Sequence, residues 1–215
     1  MSIKIVSIEG NIGSGKSTLV RLLQKANNTN LVYAMDYLEE PVDEWETIRD
    51  KESNIIEKFY KNQKKYAFSF QMMAYISRLV SIKRAVERNQ GKHCIIICER
   101  SVWTDRFVFA KMLYDEGNIE DVNFQIYLKW FDEFIKDYPL SAIIYVTTLP
   151  DICEMRIKTR NRTGETIPIG YLSRCHEYHI DWLLRTKKDM LQIRHDFTDD
   201  VTDEIYDFIK KLFPK

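Results

Sequence analysis

The chain has 215 residues, of which 45% are hydrophobic and 30% charged, and its 32 lysines and arginines balance 32 aspartates and glutamates. That length suits one domain with a large buried core, and the even charge balance argues against a nucleic-acid partner, whose footprint would be basic. There is no run of about 18 apolar residues, so no membrane span is expected, and with a core-like strand starting at Ile3 no secretory signal is expected either.

Ile3-Lys4-Ile5-Val6-Ser7-Ile8 is an alternating, β-branched run without proline, which predicts a buried strand. Gly10-Asn11-Ile12-Gly13-Ser14-Gly15-Lys16-Ser17 follows, with glycine, four residues, glycine, lysine and a hydroxyl residue in order; Leu19, Leu22, Leu23 and Ala26 then recur at helical spacing. Strand, glycine turn and helix is the setting this P-loop pattern needs. The turned backbone points N–H groups into one concavity, where the helix N-terminus adds partial positive charge. Lys16 would reach the β- and γ-phosphates and Ser17 would ligate Mg²⁺. A nucleoside triphosphate is the implied ligand.

Asn27 to Asn30 reads as a turn. Leu31 to Met35 reads as a second strand that ends in Asp36-Tyr37-Leu38-Glu39-Glu40-Pro41. Ile55 to Asn89 has no glycine or proline and carries apolar residues at helical spacing, which predicts one long helix or two packed pieces. Gly91-Lys92 breaks it. His93 to Cys98 predicts a third strand, which runs into the polar cluster Glu99 to Arg106. Helices are predicted over 107–116, 123–136, 151–158, 171–186 and 203–213, with strands over 142–146 and 190–194. Strands alternating with helices predict an α/β fold, a parallel sheet covered on both faces. Polar residues gather where strands end, which is where open α/β sheets bind ligands.

The four cysteines, Cys94, Cys98, Cys153 and Cys175, form no Cys-x-x-Cys pair. Cys94 and Cys98 sit four apart in a strand, about 13 Å by strand rise, too far to share a metal unaided. Buried free thiols in a reducing compartment are expected, with the cytoplasm as location.

Two further strand ends carry candidate chemistry. Pro41 holds Glu40 extended, so this carboxylate is either a fixed acceptor for the proton of an attacking hydroxyl or a solvated loop glutamate. Glu99-Arg100 offers a carboxylate for Mg²⁺ or its water shell and an arginine for phosphoryl oxygens; the alternative is an internal ion pair. The segment from Arg156 through Arg160 to Arg162 precedes a turn-rich stretch, and reads as a mobile lid over about 156–167 or as a basic helix end.

As an ordered set, the motifs resemble those of the deoxyribonucleoside kinase family, which contains deoxycytidine, deoxyguanosine and mitochondrial thymidine kinases. The shared pieces are the P-loop through Thr18, Glu40-Pro41-Val42-x-x-Trp45, Phe59-Tyr60, Phe68-Ser69-Phe70-Gln71 with Ser77-Arg78, Glu99-Arg100-Ser101-Val102-x-x-Asp105-Arg106, Arg160-Asn161-Arg162, Ile167-Pro168-x-x-Tyr171-Leu172 and Trp182. They span nearly the whole chain. The resemblance implies a single three-layer P-loop kinase domain over 1–215, with a five-stranded parallel sheet, a lid and a homodimer.

It also implies roles. Glu40 matches the general base, Trp45 and Tyr60 match pocket residues, Phe70 the ring on which the base stacks, and Gln71 the amide on the base edge. Glu99 and Arg100 match the pair beside Mg²⁺ and the 5′-hydroxyl. Arg156, Arg160 and Arg162 match lid arginines on the donor, and Asp196-Phe197 the loop whose backbone holds the donor's adenine. Glu165 matches a carboxylate on the sugar 3′-hydroxyl, although one residue is missing between it and Pro168 relative to the deoxycytidine-kinase pattern. Gln71, Ala74 and Arg78 share one helix face by spacing. Arg78 is either solvated or paired with Asp105, and family members that keep such a pair with a small residue at the Ala74 position prefer deoxycytidine and deoxypurines to thymidine.

The implied reaction is phosphoryl transfer from ATP·Mg²⁺ to the 5′-hydroxyl of a deoxyribonucleoside. A nucleoside monophosphate kinase on the same scaffold is the second reading; it would need a site for an acceptor phosphate, whereas Glu40, Gln71 and Glu165 suit an uncharged acceptor. The third is a nucleotide-binding module without turnover. A GTPase would carry Asn-Lys-x-Asp, and that tetrapeptide is absent.

Overall fold

The structure, a computed structural model, describes residues 2–26, 33–162, 165–198 and 200–212. Five parallel strands, β1 (Ile3–Glu9), β2 (Ala34–Leu38), β3 (Cys94–Glu99), β4 (Leu140–Thr147) and β5 (Asp189–Arg194), form one sheet in the order β2-β3-β1-β4-β5. Side chains alternate faces along each strand, and both faces are buried. Ile5, Ile96 and Ile143 pack into one core, and Val6, Ile8, Ile95, Ile97 and Ile144 into the other. Burying each such side chain contributes roughly 1.5–3 kcal/mol, which explains why the central strands read as near-continuous apolar runs.

Helices α1 (Lys16–Ala26) and α10 (Val201–Lys210) cover the second face through Leu19, Leu23, Ile205 and Ile209. The first face carries α4 (Gln63–Arg88), α7 (Asp121–Phe134) and α9 (Ile169–Arg185). The result is the three-layer α/β architecture expected from the alternation of elements.

Local differences have identifiable causes. The second strand is Ala34–Leu38, displaced toward Asp36-Tyr37-Leu38, and residues 31 and 32 lie outside the described residues, as does the turn over 27–30. Asp36 sits in an edge strand, where Arg88 and Asn89 bond its carboxylate at 2.7 and 2.6 Å, so the charge misdirects a hydropathy reading. The long helical stretch is two helices, α3 (Ile55–Lys61) and α4, divided at Asn62, whose side chain caps α4 by accepting from Lys65 N at 3.1 Å. Asn54 and Glu57 close a capping box at the start of α3. The six-residue helix α2 (Val42–Thr47) was not expected, being too short to show a period.

The helix expected over 107–116 begins five residues earlier. It runs as α5 (Val102–Thr104), a π-helical stretch (Asp105–Ala110) and α6 (Lys111–Asp115). Helix α8 (Pro150–Arg160) ends at Asn161 in left-handed conformation, φ 49°, a common helix stop. All four cysteines are buried and unpaired. Among the described residues no helix is long and apolar enough to cross a membrane.

Candidate active site

A cleft of about 640 Å³ opens at the carboxyl ends of the strands. The P-loop forms one end of it. Gly13 has φ 78°, and a Cβ there would lie 2.7 Å from the Cys153 carbonyl; at Gly10, φ 145°, one would lie 2.7 Å from the Val146 carbonyl. Neither position accepts a side chain. Ile12, Gly13, Gly15, Lys16, Ser17 and Thr18 line the cleft. Asn11 and Ser14 build the loop instead. Asn11 Nδ2 donates to Leu172 O at 2.8 Å, and Ser14 O accepts from Thr148 Oγ1 at 3.0 Å and Arg156 Nη1 at 2.9 Å. Gly10 presents its carbonyl to Arg100 Nη2 at 3.5 Å.

Lys16 Nζ donates to Asn11 O at 2.7 Å. Burial pushes its pKa down to about 7, with Arg100 adding to the fall and Glu99 and Glu40 opposing it. Ser17 Oγ donates to Glu99 Oε1 at 2.7 Å. These two hard oxygens beside a phosphate loop fit Mg²⁺, which is usually held by one or two protein oxygens with substrate phosphates and water. Among the described residues no group of three or more histidines, cysteines and carboxylates is placed to hold a metal ion by itself.

At the next two strand ends the charges converge. Glu40 Oε1 accepts from Arg100 Nη1 and from Arg78 Nη2. Arg78 also reaches Asp105 Oδ2 at 3.0 Å through Nε and the Glu99 carbonyl at 2.9 Å through Nη1. Burial works to raise the Glu40 pKa, but Arg100, Arg78 and Lys16 outweigh it and hold the carboxyl below the usual range. Arg78 and Asp105 are 4% and 1% exposed, so Arg78 is the buried partner of Asp105 and not a solvated helix residue. Glu40 is likewise a fixed, paired group and not a solvated loop glutamate.

A wall of helices completes the cleft. Phe70 stacks on Phe59 with centroids 4.6 Å apart and meets Trp45 edge-on at 5.7 Å. Trp45 Nε1 donates to Ser77 Oγ at 2.8 Å. Gln71, 2% exposed, leaves its Oε1 without a partner, and Ala74 lies one turn along the same face. Tyr60 meets Tyr171 edge-on at 6.3 Å. Burial, and after it the charge of Glu165, push the Tyr60 hydroxyl well above its usual pKa.

The basic segment borders the cleft. Arg156, Arg160, Arg162 and Glu165 all line the cleft, and Arg160 Nη2 holds both carboxylate oxygens of Glu165 at 2.5 and 2.6 Å. Residues 163 and 164 of the expected lid lie outside the described residues. Phe197 lines the cleft beside Gly15, whereas the Asp196 carboxylate is turned onto exposed Arg194 at 3.1 Å. Only the backbone of Asp196 is left for a ligand.

Arg21, Asp43, Ile56, Phe109 and His195 line the cleft but stood in none of the sequence motifs, and Tyr171 stood in one without a role. His195 accepts from Arg156 Nη2 on its carbonyl at 3.1 Å. Its position beside Asp196-Phe197 was the only signal. The cleft joins a cationic phosphate cradle to a buried carboxylate and an aromatic slot with an unsatisfied amide. It can hold a polyphosphate at one end and a flat polar ring at the other, with Glu40 between.

Comparison with known proteins agrees. The deoxynucleoside kinase family profile matches residues 6–212. A probable deoxycytidine kinase of fowlpox virus (strain NVSL) is 37% identical, over 98% of this chain and 90% of its own length. The deoxycytidine kinase of Homo sapiens is 30% identical over 99% and 89%, and the mitochondrial deoxyguanosine kinase of Xenopus laevis 32% identical over 87% and 75%.

Proposed function

The chain belongs to the deoxynucleoside kinase family, and from that premise we propose that it transfers the γ-phosphoryl group of ATP to the 5′-hydroxyl of deoxycytidine and deoxypurine nucleosides, with thymidine a poor substrate. Deoxynucleoside phosphorylation is the family's activity; the donor, the base preference and the residue roles are this reading.

Little covalent chemistry is asked of the protein, so positioning and charge supply the rate. Glu40 takes the proton of the 5′-hydroxyl as its oxygen bonds phosphorus and the bond to the ADP oxygen breaks. Both guanidinium bonds fall on Oε1, which leaves Oε2 for the substrate. Arg100 and the lid arginines face the phosphoryl oxygens as charge spreads over them. Lys16 holds the β- and γ-phosphates. Mg²⁺, held by Ser17 and Glu99, would supply neutralisation of phosphate charge.

The observation that carries the base preference is the unpartnered Gln71 Oε1 beside Ala74 and the Arg78–Asp105 pair. A buried acceptor favours a base that brings an N–H donor, which thymine N3–H offers as well as an exocyclic amino group does, so the discrimination against thymidine rests on the buried Arg78 guanidinium crowding the space a thymine methyl would need. Steady-state rates for the four natural deoxynucleosides with ATP and Mg²⁺ test it. Deoxycytidine or a deoxypurine should show the highest kcat/KM, and a preference for thymidine overturns the reading.

The same reading includes a cytoplasmic homodimer acting in nucleotide salvage. Val122, Ile126, Trp130 and Phe134 form an exposed stripe at four-residue spacing on α7, with exposed Ile76 on α4, and such a stripe suits a second copy. Sedimentation velocity of wild type against Trp130→Glu tests the pairing.

A further inference from the structure

Glu9, the last residue of β1, is wholly buried and does not line the cleft. Its Oε1 accepts from Ser101 N at 3.0 Å and Ser101 Oγ at 2.6 Å, and its Oε2 accepts from Thr104 Oγ1. These donors stand just after a strained point in the chain. Arg100 N still bonds Ile8 O at 3.0 Å as the last rung between β3 and β1, and Arg100 then takes φ 64°, a left-handed conformation unusual for a residue with a side chain. Such a conformation persists only where its surroundings over-determine it.

Glu9 does so from the strand side. It fixes the N–H of Ser101 immediately beyond the strained residue and the hydroxyl of Thr104 immediately before Asp105. Gly10 is its chain neighbour, so one carboxylate ties the phosphate loop to the turn that aims Arg100 and to the start of the stretch that aims Asp105. We propose that Glu9 is a positioning residue for phosphoryl transfer, acting through Arg100 by holding this turn left-handed and the guanidinium on Glu40. The proposal rests on the role given to Arg100 above.

The test compares wild type, Glu9→Ala, Glu9→Gln, Arg100→Ala and the double variant Glu9→Ala/Arg100→Ala, with deoxycytidine and ATP. A misplacement of about 1 Å costs on the order of 10²-fold, so Glu9→Ala should lower kcat by about ten- to a hundred-fold while the nucleoside Kd, measured by calorimetry, changes less than about threefold. Glu9→Gln keeps an oxygen for Ser101 and should recover most of that loss. In the Arg100→Ala background, Glu9→Ala should cost no further kcat, because non-additivity marks groups acting as one unit. If Glu9→Ala does not fold, Thr104→Val removes one donor at nearly constant volume and should show the same dependence on Arg100 at smaller scale.

Unchanged kcat in a folded Glu9→Ala or Thr104→Val, or an equal loss with and without Arg100, overturns the proposal. Arg100→Ala as fast as wild type would overturn it together with the assignment of Arg100. Wild type that phosphorylates no deoxynucleoside would remove the functional reading itself.

Discussion

Arg100 Nη1 donates to Glu40 Oε1 at 2.6 Å, and the same oxygen accepts from Arg78 Nη2 at 3.0 Å. The carboxylate is therefore ionised and aimed before any substrate arrives. A general base positioned this way typically contributes about 10²- to 10⁴-fold. Glu40→Gln should keep nucleoside and ATP affinity while kcat falls by that order. Wild-type kcat in this variant would pass the proton-accepting role to another group, Glu99 first.

Arg78 and Asp105 should be tested as a pair. Removing Arg78 alone strands a buried carboxylate, which typically costs about 3–5 kcal/mol, and a loss of activity would then say nothing about the base. Arg78→Met with Asp105→Ala removes both charges and opens the space near Ala74. Thymidine kcat/KM relative to deoxycytidine should rise in the double variant. An unchanged ratio would place base selection elsewhere in the cleft.

The depressed pKa of Lys16, about 7 in the free protein against 10.5 for an ordinary lysine, has a measurable sign. A bound triphosphate favours the charged ammonium, so ATP binding at pH 8 should take up close to one proton. Its Kd should weaken as pH rises above about 7, by up to about tenfold per unit. Calorimetry at pH 8 in buffers of different ionisation enthalpy reads the uptake; an enthalpy independent of buffer would refute it. Between pH 7 and 10.5 the unfolded chain holds more protons at this lysine than the folded one. This group alone therefore makes the nucleotide-free protein more stable as pH rises through that window.

Glu165 is expected to bind the sugar 3′-hydroxyl beside Tyr60, after giving up its bonds to Arg160. A site built to hydrogen-bond a hydroxyl rejects the analogue that lacks it. A 2′,3′-dideoxynucleoside should be a poor substrate of wild type, and Glu165→Ala should narrow the gap between it and the parent. Unaltered discrimination would mean that the carboxylate stays with Arg160 during turnover.

Legibility followed the distance over which each interaction acts. The phosphate loop is eight consecutive residues whose chemistry is local, so it stood out at once. Gln71, Ala74 and Arg78 were placed on one face by helical spacing, and Glu40 at the rim by the proline after it. Spacing alone left Arg78 open between solvent and Asp105, since 27 residues separate the two. The start of α5 was missed because its restraint comes from Glu9, 92 residues before Ser101, where no local cap is visible. Asn11 and Ser14 fit the motif but spend their hydrogen bonds on Leu172, Thr148 and Arg156, contacts of 134 or more residues in separation. His195 has no sequence pattern of its own.

The central place of β1 also sets an order in time. It is the earliest strand in the chain, yet its neighbours are β3, ending at Glu99, and β4, ending at Thr147. During synthesis from the N-terminus, one side of β1 stays open until residue 99 has emerged and the other until residue 147, about two-thirds of the way along the 215 residues. Contacts of such long range close late because the intervening loop entropy must first be overcome. A nascent chain halted before β4 should thus hold no nucleotide, although it already carries every residue of the phosphate loop.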